Sequence, residues 1–165
     1  MMNTTTTPSV IELATTTKVA AMVCDGEWTV AELSALPCEF RALVWSGHSV
    51  RLARVTTEPV PGGQDMDVHK VTVGGVKVRC SARSNWTTLK KGEPRSTLAG
   101  DLKAGDHVPS HPKFGRDALH NLTGYPKCSP VPLAQVKTAH EDVPLTALSV
   151  KGGGAILLGN GIFVG

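Results

Sequence analysis

Val68-His69-Lys70-Val71-Thr72-Val73-Gly74-Gly75-Val76-Lys77-Val78-Arg79-Cys80 decides the fold class. Two runs alternate apolar and polar residues, the period of a half-buried strand, and the Gly-Gly between them tolerates the positive φ angles of a tight turn. The stretch predicts a β-hairpin. Outward from it, residues 42–45 (Ala-Leu-Val-Trp) and 50–55 (Val-Arg-Leu-Ala-Arg-Val) are rich in strand formers, and Pro59-Val60-Pro61-Gly62-Gly63 is a turn cluster. Residues 109–132 mix Pro, Gly, His and Lys without a period and read as an irregular loop or insertion. Residues 143–150 and 155–164 predict two last strands, broken by Gly152-Gly153-Gly154 and by Asn160-Gly161, a pair that suits a turn. Only residues 30–36 carry a helical pattern, with Thr29 as N-cap and Glu32 three residues on. The sum is an all-β domain with one short helix.

Residues 1–23 differ from the rest. Thr4-Thr5-Thr6-Thr7-Pro8 and Thr15-Thr16-Thr17 flank a few aliphatic residues, and β-branched sequence beside proline favours extended chain over helix. They are expected to form an extended N-terminal arm outside a domain spanning 24–165. Order in such an arm would imply a protein partner or assembly contacting residues 1–23.

A chain of 165 residues, 41% apolar, suffices for one continuous core. The net charge of +3 is scattered, the longest basic run is Lys90-Lys91, and aromatics make up only 4%, which argues against nucleic acid and for a solvated basic surface. Four cysteines (Cys24, Cys38, Cys80, Cys128) form no CxxC pair and no His/Cys cluster at zinc spacing, so neither a metal nor a cofactor is expected. Without a charged-then-apolar leader the thiols read as reduced, in a cytoplasmic protein rather than one exported by a signal peptide. No window reaches the roughly 18 apolar residues of a membrane span. Cys38, Cys80, Trp28, Trp45 and Trp86 are expected in the core, and Cys128 in the loop.

Several segments, in order, resemble the successive blocks of the Hint (hedgehog/intein) superfamily. Cys24-Asp25-Gly26-Glu27-Trp28-Thr29-Val30-Ala31-Glu32-Leu33 is similar to its N-terminal block, which opens on a nucleophilic cysteine. Residues 71–84, ending Ser81-Ala82-Arg83-Ser84, resemble the hairpin that leads into a Thr-x-x-His motif. Leu102-Lys103-Ala104-Gly105-Asp106-His107-Val108 matches a Leu-Lys-x-Gly-Asp-x-Val signature, and residues 143–150 and 156–164 resemble the two C-terminal blocks. The resemblance implies a horseshoe of short strands like that of a mini-intein, with residues 109–132 too short to hold an endonuclease.

In active members of that superfamily, the first thiol attacks the preceding carbonyl to form a thioester, since a thiolate is a strong nucleophile even as a minor species. The motif histidine bonds the scissile amide and protonates its departing nitrogen, general acid catalysis that contributes about 10²- to 10⁴-fold. By the resemblance, Cys24 is the candidate nucleophile and Val23-Cys24 the bond. Ser81 keeps the hydroxyl of the motif threonine, whereas Ser84 stands in the histidine position and has no imidazole. Thr146 takes the place of an aspartate, and Gly165 falls where a His-Asn ending would begin, which predicts no asparagine cyclisation. His69 or His107 could fill the vacancy. Two functions follow. One is a non-splicing structural or interaction module, by analogy a phage accessory or virion component. The other is an autoprocessing domain, at most single-turnover, that cleaves Val23-Cys24.

Overall fold

The computed structural model of the chain describes residues 10–23, 26–60, 67–141 and 143–165. Among them the regular structure is almost entirely strand: β1 (Ile11–Ala14), β2 (Lys18–Met22), β3 (Trp28–Glu32), β4 (Glu39–Trp45), β5 (Val50–Pro59), β6 (Asp67–Val73), β7 (Val76–Ser81), β8 (Asn85–Lys90), β9 (Glu93–Leu98), β10 (His107–Ser110), β11 (Ser129–Pro132), β12 (Gln135–His140), β13 (Leu145–Val150), β14 (Ala155–Leu157) and β15 (Phe163–Val164). All pairings between these strands are antiparallel. The larger sheet runs β12-β6-β7-β1-β13-β5-β4-β14-β15, with β2 paired to β4 and β3 to β2, and the smaller runs β11-β10-β8-β9. No helix among the described residues is long and apolar enough to cross a membrane.

The hairpin at residues 68–80 is β6 and β7, in register from Val68↔Ser81 to Val73↔Val76. Gly74 and Gly75 turn at φ +58° and +78°, angles that a side chain would strain. The strands expected near 42–45, 50–55 and 143–150 form β4, β5 and β13. Long β5 pairs β4 through residues 50–56 and β13 through residues 55–59, carrying the chain from one half of the large sheet to the other. Residues 155–164 divide into β14 and β15, and Gly161 at φ +88° makes the turn between them.

Three expectations about the elements are corrected. Residues 30–36 are not a helix: β3 runs to Glu32, and a 3-10 turn covers Leu33–Ala35. Cross-strand partners outweigh the helical spacing, because Val30 and Ala31 pair with Ala20 and Val19 of β2. Nor do the described residues 10–23 stand outside the domain. β1 lies between β7 and β13 inside the large sheet, and Ile11, Leu13, Ala14, Val19, Ala20 and Ala21 are buried. The described domain therefore includes Val10 onward, while residues 1–9 lie outside the described residues. The third correction concerns residues 109–132, whose two ends pair as β10 and β11, from His107↔Pro132 to Ser110↔Ser129.

Two apolar clusters fill the interior. One joins Leu13, Val71, Val78, Cys80, Trp86 and Ile156, and the other joins Leu43, Trp45, Leu122, Leu157 and Phe163. Trp28 packs at the edge of the second. The Leu-Lys-x-Gly-Asp-x-Val segment is a turn between buried Leu102 and Val108: the Lys103 N–H donates to Asp106 Oδ2 at 2.9 Å, and Gly105 takes φ +94°. Cys38, expected in the core, is exposed because it falls in the link between the 3-10 turn and β4.

Candidate functional site

The turn after β7 brings Ser81 and Ser84 against the backbone of β1. Ser84 N–H donates to the Ser81 carbonyl at 3.1 Å, closing the turn, and a second 3-10 turn (Ala99–Asp101) holds it from outside through Ala99 N–H to Ser84 O (2.8 Å) and Gly100 N–H to Ala82 O (3.0 Å). The Ser84 hydroxyl accepts from Glu12 N–H at 2.7 Å and donates to the Glu12 carbonyl at 2.9 Å. Next to it, Asn85 N–H donates to the Val10 carbonyl at 2.6 Å. The strand that enters the sheet at Ile11 is thus pinned on both sides of the Ile11-Glu12 peptide.

Glu12 is 3% exposed, and a buried carboxylate demands partners. It has three. The Ser81 hydroxyl and Arg83 Nε donate to Oε1 at 2.7 and 2.6 Å, and Arg83 Nη2 donates to Oε2 at 2.6 Å. The Arg83 guanidinium, gripping the carboxylate with two hydrogen bonds, holds Glu12 below the usual carboxylate range against the opposing effect of burial, and Arg83 is raised in return.

The C-terminal strand ends beside the same place. The Thr87 hydroxyl donates to the Gly165 carbonyl at 2.6 Å, and a Cβ at Gly165 would lie 2.8 Å from Ile11 Cδ1. Thus Ile11-Glu12, the Ser81–Ser84 turn and Gly165 meet at one point.

Cys24 lies outside the described residues. Its described neighbours Val23 and Gly26 close the link between β2 and β3, with Gly26 N–H donating to the Val23 carbonyl at 3.0 Å and Val23 N–H to the Glu27 carbonyl at 3.2 Å. Both motif hydroxyls are engaged elsewhere, with Glu12 and with each other (3.4 Å). Neither alternative histidine joins them. His69 pairs across strands with Cys80, which pairs with Leu13, so it lies on the sheet face opposite Ser81, within reach of Thr138 Oγ1 at 3.3 Å. His107 sits in the smaller sheet, opposite Leu89 and Pro132. Thr146 is opposite Leu13 in β1 and 9% exposed. Among the described residues no group of three or more His, Cys, Asp or Glu could hold a metal ion.

Sequence reading missed Glu12, Arg83 and His111. The signal for Glu12 was a single acid inside Val10-Ile11-Glu12-Leu13-Ala14, a run otherwise made for a buried strand. His111 is 4% exposed and anchors the long loop: Nε2 lies 2.9 Å from the Leu122 carbonyl and Nδ1 accepts the Lys113 N–H at 3.1 Å. Burial pushes its pKa down.

An antiparallel horseshoe whose two ends meet beside a hairpin turn is the Hint fold, the fold of the inteins. The chain matches an intein from a hyperthermophile with a TM-score of 0.71 at 9% identity, covering 93% of this chain and 98% of that one. It matches the Pab PolII intein at 0.68 and 12% identity, over 92% and 98% of the two chains. A DnaB intein from Synechocystis sp. PCC 6803 matches at 0.66 and 12% identity, over 93% and 96%. No family model matches the sequence, and no curated protein does.

Proposed function

We propose that this chain is a Hint-fold module that neither splices nor cleaves itself, and that serves as a structural or interaction domain. The observation that carries the proposal is the pair of bonds from Ser84 Oγ to the N–H and carbonyl of Glu12. In active relatives the residue in the Ser84 position is a histidine that bonds the scissile amide, so in this chain the amide that corresponds by contact is Ile11-Glu12. Glu12 has no thiol or hydroxyl with which to attack the preceding carbonyl. Its carboxylate is neutralised by Arg83, and a serine hydroxyl is no general acid for an amine leaving group at neutral pH. Nucleophile and acid are thus replaced together, which fits a centre converted to a structural role better than one awaiting a partner.

The test is intact mass after incubation with and without dithiothreitol or hydroxylamine, for the natural chain and for Cys24→Ala. A single full-length mass under every condition is expected. Release of a fragment ending at Val23, dependent on Cys24, would overturn the proposal in favour of autoprocessing.

A further inference from the structure

Among the described residues, one edge of β7 is left open. The strand pairs with β6 along its whole length, but with β1 only at Cys80↔Leu13, because β1 ends at Ala14 and the chain turns back there, Thr17 N–H donating to the Ala14 carbonyl at 2.9 Å. Beside Val76–Arg79 lies a groove of about 340 Å3, bounded on one side by Thr16, Thr17 and Lys18 and on another by Leu158–Asn160. Gly159 N–H donates to the Lys18 carbonyl at 2.8 Å, and Asn160 Nδ2 lies 3.4 Å from the Val73 carbonyl, so these walls are tied to each other and to the hairpin.

The groove is basic. Lys18, Lys77 and Arg79 line it and no acidic residue does. Among the described residues Lys18 and Lys77 form no ion pair, although Glu32 stands opposite Lys18 in β3, while Arg79 and its cross-strand neighbour Lys70 share Glu141. Val76 is 44% exposed, and with Leu158 it makes the wall aliphatic rather than aromatic. Open strand edges are hazardous, and lysine is a common means of stopping two copies from pairing. The same lysines repel a second copy of this basic chain and attract a strand of opposite charge.

We propose that this groove takes an extended acidic segment of a partner protein, which adds as a strand to the free edge of β7 and sets its carboxylates against Lys18 and Lys77. Backbone groups of Val76–Arg79 supply the pairing, and alternate side chains of the incoming strand divide between the aliphatic wall and the lysines. Nucleic acid fits less well, for the groove has no aromatic platform on which bases could stack. The proposal concerns a surface separate from Glu12 and Ser84, and it stands whether or not the chain is silent in self-cleavage.

The experiment titrates the full chain into a short fluorescein-labelled peptide of alternating valine and glutamate, reading anisotropy, with a matched valine-lysine peptide and an oligothymidylate alongside. Saturable binding of the acidic peptide is expected. It should weaken about tenfold in Lys18→Ala/Lys77→Ala, and Lys18→Glu/Lys77→Glu should prefer the valine-lysine peptide. Both residues are exposed, so the variants keep the fold, which near-UV circular dichroism checks. Amide exchange between Val76 and Arg79 should slow on binding. Absence of saturable binding at millimolar chain, or binding unaffected by the double variants, would overturn the proposal. So would equal binding of oligothymidylate through the same lysines with affinity falling steeply with salt, the mark of a phosphate surface.

Discussion

Replacing Arg83 with Met should destabilise the domain by about 2 kcal/mol, a figure set by what the arginine does for Glu12. Hydrogen bonds to a charged group contribute about 1.5–3 kcal/mol each, and Arg83 makes two of them at 2.6 Å to a carboxylate that is 3% exposed. Breaking a fully buried pair costs about 3–5 kcal/mol. The arginine side chain is 63% exposed, however, so water can take over part of its role, and the smaller figure follows. Glu12→Gln should cost less, about 1 kcal/mol, because the amide keeps a Ser81 hydrogen bond and the freed arginine is already in water. Urea unfolding monitored by tryptophan fluorescence measures both, and the arginine variant should melt roughly 4–8 °C lower. The pH dependence provides a second readout. Glu12 titrates in the folded chain below its ordinary value of 4.5. Its contribution is therefore present above that value and lost as pH falls through the lowered folded one. Without Arg83, burial is opposed only by the Ser81 hydrogen bond and the carboxylate's pKa moves upward, so the stability gap between natural chain and variant should be widest at neutral pH and close on acidification. An Arg83→Met cost within the few tenths of a kcal/mol of an ordinary surface change, or a gap constant with pH, would refute the assignment of Glu12 as a buried charge held by Arg83.

Gly154→Ala should cost about 2–4 kcal/mol in the same assay, since φ is +109° there and a Cβ would stand 2.5 Å from Val44 Cγ1 and 3.0 Å from the Trp45 carbonyl, whereas Gly105→Ala, with open space around it, should cost only the strain of its φ. In Cys24→Ala, Ellman's reagent at neutral pH should find one fast thiol, exposed Cys38, and two slow ones. Cys80 and Cys128 are buried or half-buried with pKa values pushed up to about 12, and fast reaction of Cys80 would contradict its place in the core. For His111 the folded pKa lies below 6.5, so the stability it confers on the loop is complete above that value and lost as pH falls through the folded one. Hydrogen exchange at the Lys113 amide, which donates to the neutral ring, should accelerate on acidification and become pH-independent, beyond intrinsic exchange, in His111→Gln.

How much of this was legible in the sequence depended on whether partners were local. The β6–β7 hairpin was plain because its alternation and its Gly-Gly turn both lie within residues 68–80. β1 was not, because what makes Ile11–Ala14 a central strand is pairing with Leu145–Leu148, more than 130 residues away, and a threonine-rich neighbourhood disguised it. The apparent helix at residues 30–36 failed for the same reason, since spacing suits a helix but Val19 and Ala20 claim Ala31 and Val30. Of the candidate site, the resemblance sets Ser81 and Ser84 beside Cys24, whereas in the structure both hydroxyls bond Glu12. The order of blocks along the chain carries no sign of this contact, because Glu12 and the Ser81–Ser84 turn lie about 70 residues apart and only the hydrogen bonds join them.

Those bonds also bear on what this centre can do. A centre accelerates a reaction only through contacts that are stronger in the transition state than in the ground state. At Ile11-Glu12 every contact favours the peptide as it stands: Ser84 satisfies the N–H and carbonyl of Glu12, Asn85 holds the Val10 carbonyl, and Arg83 and Ser81 fix the carboxylate. Ile11 and Leu13 on either side are packed in the core, so rotation of the peptide toward a tetrahedral geometry would disturb both the apolar contacts and the buried hydrogen bonds. These hydrogen bonds lower the ground state, and none of them donates to the Ile11 carbonyl, where charge would develop. On the proposed reading, the point where the two ends of the horseshoe meet acts as a clasp, its hydrogen bonds closing the domain at Ile11-Glu12.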